Sequence, residues 1–584
     1  MSLRRALVAT GVAALLATSV VACSKNSGDD PAGNDDSRKQ NTGALGTAED
    51  SKGPAAEVPG ATPGGDITAY RRAAFDHADP ARAYYVDVLA MLDLVARRLT
   101  NYKELGDGRM VVVGDLATDA GTDVNKDCKT WKYTLKDGIK YQDGSPIKAS
   151  DIAYGVARAF SPALPEGPHY VQQWLTGKAE YNADYKGPYD GGAAIPPGVQ
   201  VPDEKTIIFN FQTAACEAPF ALAMGISTPV PPAKDTKTDY DKAVWGSGPY
   251  KIKDYQIGVS MTVEKNEFWD KNTDPIRHQY VDTVTWKFGQ DQKTVTQRLM
   301  ADQGADQTSF DLMNEDPSLI PQIVGDTKMM ERVITGTNIF VNWVAINNER
   351  VKDVNVRKAL QYVINKEAYM KLRGGPTAGT IATTTMSPTA LGYNKFDAYP
   401  QAPTGDKEKA KQLLAGKVTT LKYAYANTEL GQQIAAFMKE EFKAVGIELE
   451  TIALDPNTAP DILTTKSSNV YDLYPKNWGQ DWATGSTVIG PIYDGRTIAD
   501  SGNVDNIWFN DPGVSAEIDR INKLSVNDAV AEWGKLDQKI MTDFAPMIPL
   551  FYGKNFGLSG SKVGGLWLSD ALGTISMVNA YVKK

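Results

Sequence analysis

Residues 477–482 read NWGQDW and set one carboxylate, Asp481, between two indoles, Trp478 and Trp482, with no histidine or cysteine beside them. An acid so placed has three uses. It can hold a cation, toward which an indole face adds about 0.5 to 2 kcal/mol. It can carry a proton in catalysis. It can also be a hydrogen-bonded acid in a core loop.

Catalysis needs partners, and the chain supplies none in a recognisable pattern. His77, His169 and His278 lie far apart, and no metal or triad spacing contains them. Residues 123–134 open like a calcium loop, but Cys128 replaces its glycine and Thr134 its bidentate glutamate. The two Ser-x-x-Lys matches, at Ser145 and Ser559, lack the companion elements of a penicillin-type acylase. There is no Gly-x-Ser-x-Gly elbow, His-Glu-x-x-His pair or phosphate loop. The expectation is a binding protein with no cofactor and no bound metal, not an enzyme.

The N-terminus says where it works. Arg4 and Arg5 precede an apolar run from Ala6 to Ala22, and then comes Cys23. The run is at the short limit for spanning a bilayer and ends in small residues, which makes residues 1–22 a secretory signal. Val-Val-Ala-Cys resembles a bacterial lipobox, in which Cys23 is lipidated and becomes the mature N-terminus; the alternative is an ordinary signal cut near Ala22. Residues 23–65 are rich in Gly, Pro, Ser, Asp and Asn and hold no aromatic residue, so they read as a disordered tether. Removing the signal takes two arginines and no acid, which moves the formal net charge from −9 to −11 and argues against nucleic acid as a partner. The expected location is the outer face of a membrane. With Cys23 lipidated, Cys128 and Cys216 remain and most simply form one disulfide, the alternative being two buried thiols.

The elements that must position the acid follow from periodicity. After Cys128, Trp131, Tyr133 and Leu135 alternate as a half-buried strand, Asp137-Gly138 and Asp143-Gly144 supply turns, and Ser150 can cap a helix with Ile152, Val156 and Phe160 on one face. Farther on, Ile434, Phe437, Met438 and Val445 form a helical stripe that Gly446 stops, and Ile447 and Leu449 alternate beyond it.

The wording of residues 128–160 resembles the signature region of family 5 extracellular solute-binding proteins, the dipeptide- and oligopeptide-binding group of ABC importers. Six further segments match in the family's order: 246–255 (GSGPYKIKDY), 263–270, 281–310, 345–370, 435–452 and 545–552 (APMIPLFY). The resemblance runs from about Asp66 to the C-terminus. It implies an α/β, type II periplasmic-binding-protein-like fold in three lobes with mixed sheets flanked by helices. Lobe I would comprise residues 66–100, 200–330 and 545–584, lobe II residues 101–199 and lobe III residues 331–544, with ligand between lobes I and III.

In peptide-binding members a tryptophan and an aspartate line the cleft, the aspartate pairing with the ligand's α-amino group. Trp478 and Asp481 stand at the matching positions. Trp482, Trp343, Asn347 and Tyr84 (or its neighbour Tyr85) are placed around them as ligand-binding candidates, with core packing as the alternative for Trp482, Trp343 and Tyr84. Many relatives carry an acid and a proline just after this aspartate, where this chain has ATGST. The resemblance thus implies a monomeric, lipid-anchored protein that closes its lobes on a peptide and delivers it to an ABC permease. The alternatives are another cargo (a nickel chelate, a sugar, an opine), or an extracellular peptide sensor or enzyme.

Overall fold

The strand expected from the alternation of Trp131 and Tyr133 is Thr130–Thr134, with both rings buried. The helix after it is Ala149–Arg158, whose Ile152 and Val156 are wholly buried. It begins two residues earlier than expected: the Asp151 carboxylate accepts the Lys148 N–H, so Ser150 lies inside the first turn. A computed structural model describes residues 45–105, 109–312, 314–468 and 470–584. The signal, Cys23 and the first part of the expected tether lie outside the described residues.

Three main sheets organise the chain. The first has the order Ser309–Asp311, Asp66–Tyr70, Thr283–Lys287, Ser260–Lys265, Tyr250–Gln256 and is parallel in its first three strands and antiparallel thereafter. The second is antiparallel and joins Thr122–Asp123, Thr130–Thr134, Thr206–Asn210 and Val199–Gln200. The third is mixed, in the order Gly379–Ile381, Met547–Leu558, Val333–Ile346, Leu473–Gly479, Thr420–Ala426, Glu448–Leu454. We refer to the regions around them as lobes I, II and III. Helix Glu429–Lys443 covers the third sheet with Ile434 and Met438, and Gly446, at φ +85°, turns the chain into strand Glu448–Leu454.

The pairing moves three of the expected limits. Strands 199–210 close the lobe II sheet instead of beginning the return to lobe I. Residues 547–558 pair along Val333–Ile346 and so belong to the lobe III sheet before the chain returns to lobe I. Residues 45–65 are not free tether. Gly46 N–H donates to the Val112 carbonyl, the Ser51 hydroxyl is buried against the Gly114 N–H, Ala55 N–H donates to the Asp274 carbonyl, and the Tyr280 hydroxyl donates to Glu57. Main-chain hydrogen bonds and small side chains hold this segment, a contribution that side-chain hydropathy does not register.

Lobes I and II share a buried ionic cluster. Asp115 accepts from Arg97 at 2.7 Å and from Arg277 at 2.8 Å, and Arg277 also reaches Asp274 at 3.1 Å. Burial opposes ionisation of Asp115, but Arg277 and then Arg97 outweigh it and hold the carboxyl well below the usual range. Cys128 and Cys216 are joined by the expected disulfide. Among the described residues no helix is long and apolar enough to cross a membrane.

Candidate functional site

Strand Leu473–Gly479 pairs along its whole length with Phe340–Ile346. On its other edge only Leu473 has a strand partner, Tyr423, so from Tyr474 to Gly479 that edge carries no pairing strand among the described residues. The chain then turns at Gln480 and presents Asp481. Its main-chain N–H donates to the Thr487 hydroxyl at 3.2 Å, and Trp478 Nε1 donates to the Thr487 carbonyl at 2.9 Å, which fixes the acid and the indole to one helix start.

At Asp481 the three lobes meet. Tyr84, just before helix Val86–Val95 of lobe I, donates its hydroxyl to one carboxylate oxygen at 2.7 Å. Tyr170, at the start of the lobe II helix Tyr170–Thr176, donates to the other at 2.5 Å. No ion pair reaches Asp481 among the described residues. Burial therefore prevails over the two hydrogen bonds and pushes its carboxyl up to about 6. Burial, and then the Asp481 charge, push the Tyr84 hydroxyl well above its ordinary value.

Trp482 points the other way, into lobe II. It is 1% exposed, its ring lies 4.6 Å from that of Tyr170 and 6.2 Å from that of Trp174, and its Nε1 donates to Glu217 at 2.6 Å. The Ser486 hydroxyl donates to the same Glu217 oxygen. Burial raises the Glu217 carboxyl against the pull of these donors. A second sunken carboxylate, with no cation on it among the described residues, thus lies one indole away from Asp481. The Tyr102 hydroxyl is buried beside both acids, next to the Ala483 main chain.

The structure brings together Tyr84, Trp478, Asp481 and Trp482 and leaves two expected residues apart. Trp343 is 2% exposed in the lobe III core, where alternation on a central strand points it inward. Asn347 is fully buried and donates its amide to the Tyr471 carbonyl while its oxygen accepts the Arg350 N–H, so its side chain shapes a turn. Trp482, sealed under lobe II rings, offers no face to a ligand in this arrangement. Tyr85, the alternative to Tyr84, is 62% exposed and makes no contact with Asp481. Tyr170 and Glu217 are additions. Tyr170 and Trp174 stand four apart, which reads only as a helix stripe, and Glu217 before the apolar run APFALAM reads only as an acid at a helix start, so neither position carries a sequence signal of its place at the site.

Comparison with known sequences places this geometry. The profile described as "Bacterial extracellular solute-binding proteins, family 5 Middle" matches residues 111–500. The chain belongs to this family. Among relatives of this family 5 protein, the dipeptide-binding protein DppE of Bacillus subtilis (strain 168) is 20% identical over 76% of this chain and 79% of its own. The oligopeptide-binding protein OppA of the same organism is 23% identical over 79% and 83%. The solved structure of clavulanic acid biosynthesis oligopeptide binding protein 2 superposes with a TM-score of 0.82 at 27% identity, over 93% of this chain and 99% of that one. The Escherichia coli murein tripeptide binding protein MppA gives 0.71 at 19%, over 89% and 98%. The family consists of extracellular binding proteins, not enzymes.

Proposed function

We propose that this family 5 protein captures peptides outside the cytoplasm and hands them to the permease of an ABC importer, acting as a monomer held to the membrane by lipid on Cys23. The observation that carries the proposal is Asp481: a half-buried carboxylate that no cation meets among the described residues, at the meeting point of three lobes and at the end of an open strand edge. An extended peptide adds to such an edge by main-chain hydrogen bonds, and its α-ammonium supplies the missing charge. Each carboxylate oxygen has a second lone pair, so Tyr84 and Tyr170 can stay while the ammonium arrives. The similarity to DppE, OppA and the two solved relatives, all named as peptide-binding proteins, supports the same cargo.

Lobe III is joined to lobe I through strands Val333–Ile346 and Met547–Leu558, whose pairing is interrupted between Thr337 and Val341. That interruption is the proposed hinge, and ligand shifts the population toward the closed state by binding it more tightly. Calorimetric titration with a free and an N-acetylated peptide tests the amine anchor. Asp481→Asn should lose about 2 to 4 kcal/mol, roughly 30- to 1000-fold, for the free peptide. Acetylation should cost wild type a similar factor and the variant little, because the pair is already broken. Equal weakening of both proteins by acetylation removes Asp481 as the anchor.

A further inference from the structure

Strand Met547–Leu558 pairs along lobe III and ends among lobe I residues. On one edge its last residues, Phe556 to Leu558, pair with Val333 to Thr335. On the other edge two residues that follow strand Ser309–Asp311 take the place of a strand. The Asn314 side-chain oxygen accepts the Phe556 N–H at 2.8 Å, the Glu315 N–H donates to the Phe556 carbonyl at 3.0 Å, and the Glu315 carboxyl accepts the Leu558 N–H at 2.6 Å. These bonds clip the connecting strands to lobe I, on the lobe I side of the interruption between Thr337 and Val341. Phe556 and Leu558 belong to an apolar cluster with Val295, Leu299, Ile320 and Ile323, and Glu315, bonded to both, is 1% exposed. The charged groups around this acid are engaged elsewhere or lie in water. Arg332 donates to the carbonyls of Leu299 and Ser559 and pairs with Asp302 at 3.5 Å, Arg298 is held by Asp306 at 2.8 Å, and Arg72 is exposed. The Asp316 carboxylate accepts from Ser318, and Lys554 meets the clip through its carbonyl, which accepts the Asn314 amide. Burial prevails over the Thr296 hydroxyl, the Leu558 N–H and the charges of Arg72 and Arg332, and pushes the Glu315 carboxyl up to about 7.

We propose that Glu315 is a proton-controlled clip on the hinge: protonated, it stays seated on Leu558 and holds the strand end to lobe I, and ionised, it leaves for water and lets lobe III swing more widely. The inference rests on the hinge proposed above and not on the identity of the cargo. A glutamine would accept the same Leu558 N–H at any pH, whereas a carboxyl makes the seat depend on a proton, because the ionised form must give up its water to occupy it. The direction follows from where the proton is held. A hydrated Glu315 releases it near the ordinary value of 4.5 and a seated one near 7, so between those values each unit of rising pH moves the balance about tenfold toward release. Below 4.5 and above 7 the balance is flat.

The test uses ligand-free, full-length mature protein at pH 5 and pH 7. Hydrogen exchange of the Phe556 and Leu558 amides, corrected for the intrinsic rate at each pH, should show wild-type protection falling about thirtyfold from the lower to the higher value. Glu315→Gln should keep the pH 5 level of protection at both. Small-angle scattering is read in Asp481→Asn, so that the site acid adds no titration of its own: the radius of gyration should grow from pH 5 to pH 7 there and stay constant in Asp481→Asn/Glu315→Gln. Wild-type protection that does not change with pH overturns the clip without need of a variant. A Glu315→Gln protein that keeps the wild-type response assigns that response to another group and overturns it as well. A segment that loosens while the radius stays fixed overturns control of the hinge. A wild-type radius that neither pH nor saturating tri-alanine moves removes the hinge itself, and the inference with it. The peptide reading is decided separately, by the titration with free and acetylated peptide.

Discussion

Protons and ligand ammonium compete for Asp481, and that competition sets a pH dependence. Its carboxyl is raised from an ordinary value near 3.8 to about 6 by burial. Between those values the folded protein holds a proton that the unfolded chain has released, so stability falls as pH rises through this window, by on the order of 2 to 3 kcal/mol once the group is ionised. Asp481→Asn removes that cost. Thermal melts of ligand-free protein should show the variant at least as stable as wild type at pH 7.5, with the advantage gone at pH 4. Binding has the opposite sense: the ammonium needs the carboxylate ionised, so affinity for a free-amine peptide should drop about tenfold per unit as pH falls below about 6. Titrations at pH 5 and 7 check this, and Asp481→Asn should be flat across the same range. Asp537 is also raised to about 6 by burial, where it accepts the N–H groups of Thr385 and Met386, so binding and not stability alone is the readout that isolates Asp481.

Segment 477–487 joins the lobes through two neighbours with different partners. The family wording sets Asp481 and Trp478 close together, and the strand end and turn that carry them hold both to Thr487. Trp482 has the same residue type and the same local sequence, yet its partners Tyr170, Trp174 and Glu217 come from lobe II helices and loops whose docking has no local signature. The same reason hid the burial of Trp343: alternation names a face of a strand but not which face the helices cover. The order of strands and helices was readable from period and turns, whereas the sheet to which residues 199–210 and 547–558 belong depends on partners more than sixty residues away. For Trp482 the burial has a measurable consequence. Truncation to alanine removes a filled indole site and leaves Glu217 one donor short, so Trp482→Ala should lose about 3 to 5 kcal/mol of the free energy holding lobe III to lobe II. Small-angle scattering of the ligand-free variant should give a larger radius of gyration than wild type, with far-ultraviolet dichroism unchanged. An unchanged radius would show that this contact does not hold the lobes together.

On the scale of the whole molecule, lobes I and II are tied by the Arg97, Arg277, Asp115 and Asp274 cluster, and the segment from Leu45 onward is pinned across the same region through Val112, Gly114 and Asp274. The described chain therefore begins on the body formed by lobes I and II and not on lobe III. Twenty-one residues separate Cys23 from Leu45, so the 22 steps limit the reach to about 75 Å even if fully extended. That distance exceeds the radius of a chain of this size, so a lipid on Cys23 can hold the protein at a membrane without restricting closure. Two acyl chains are enough for stable anchoring, at about 0.8 kcal/mol for each buried CH₂, where one chain gives only reversible attachment. Cells fed a labelled fatty acid should incorporate it into the wild-type protein and not into Cys23→Ser, which should collect in the medium while binding peptide with unchanged affinity. Equal labelling of the two, or retention of Cys23→Ser in the membrane fraction, would leave Cys23 without an anchoring role and make the signal an ordinary secretory one.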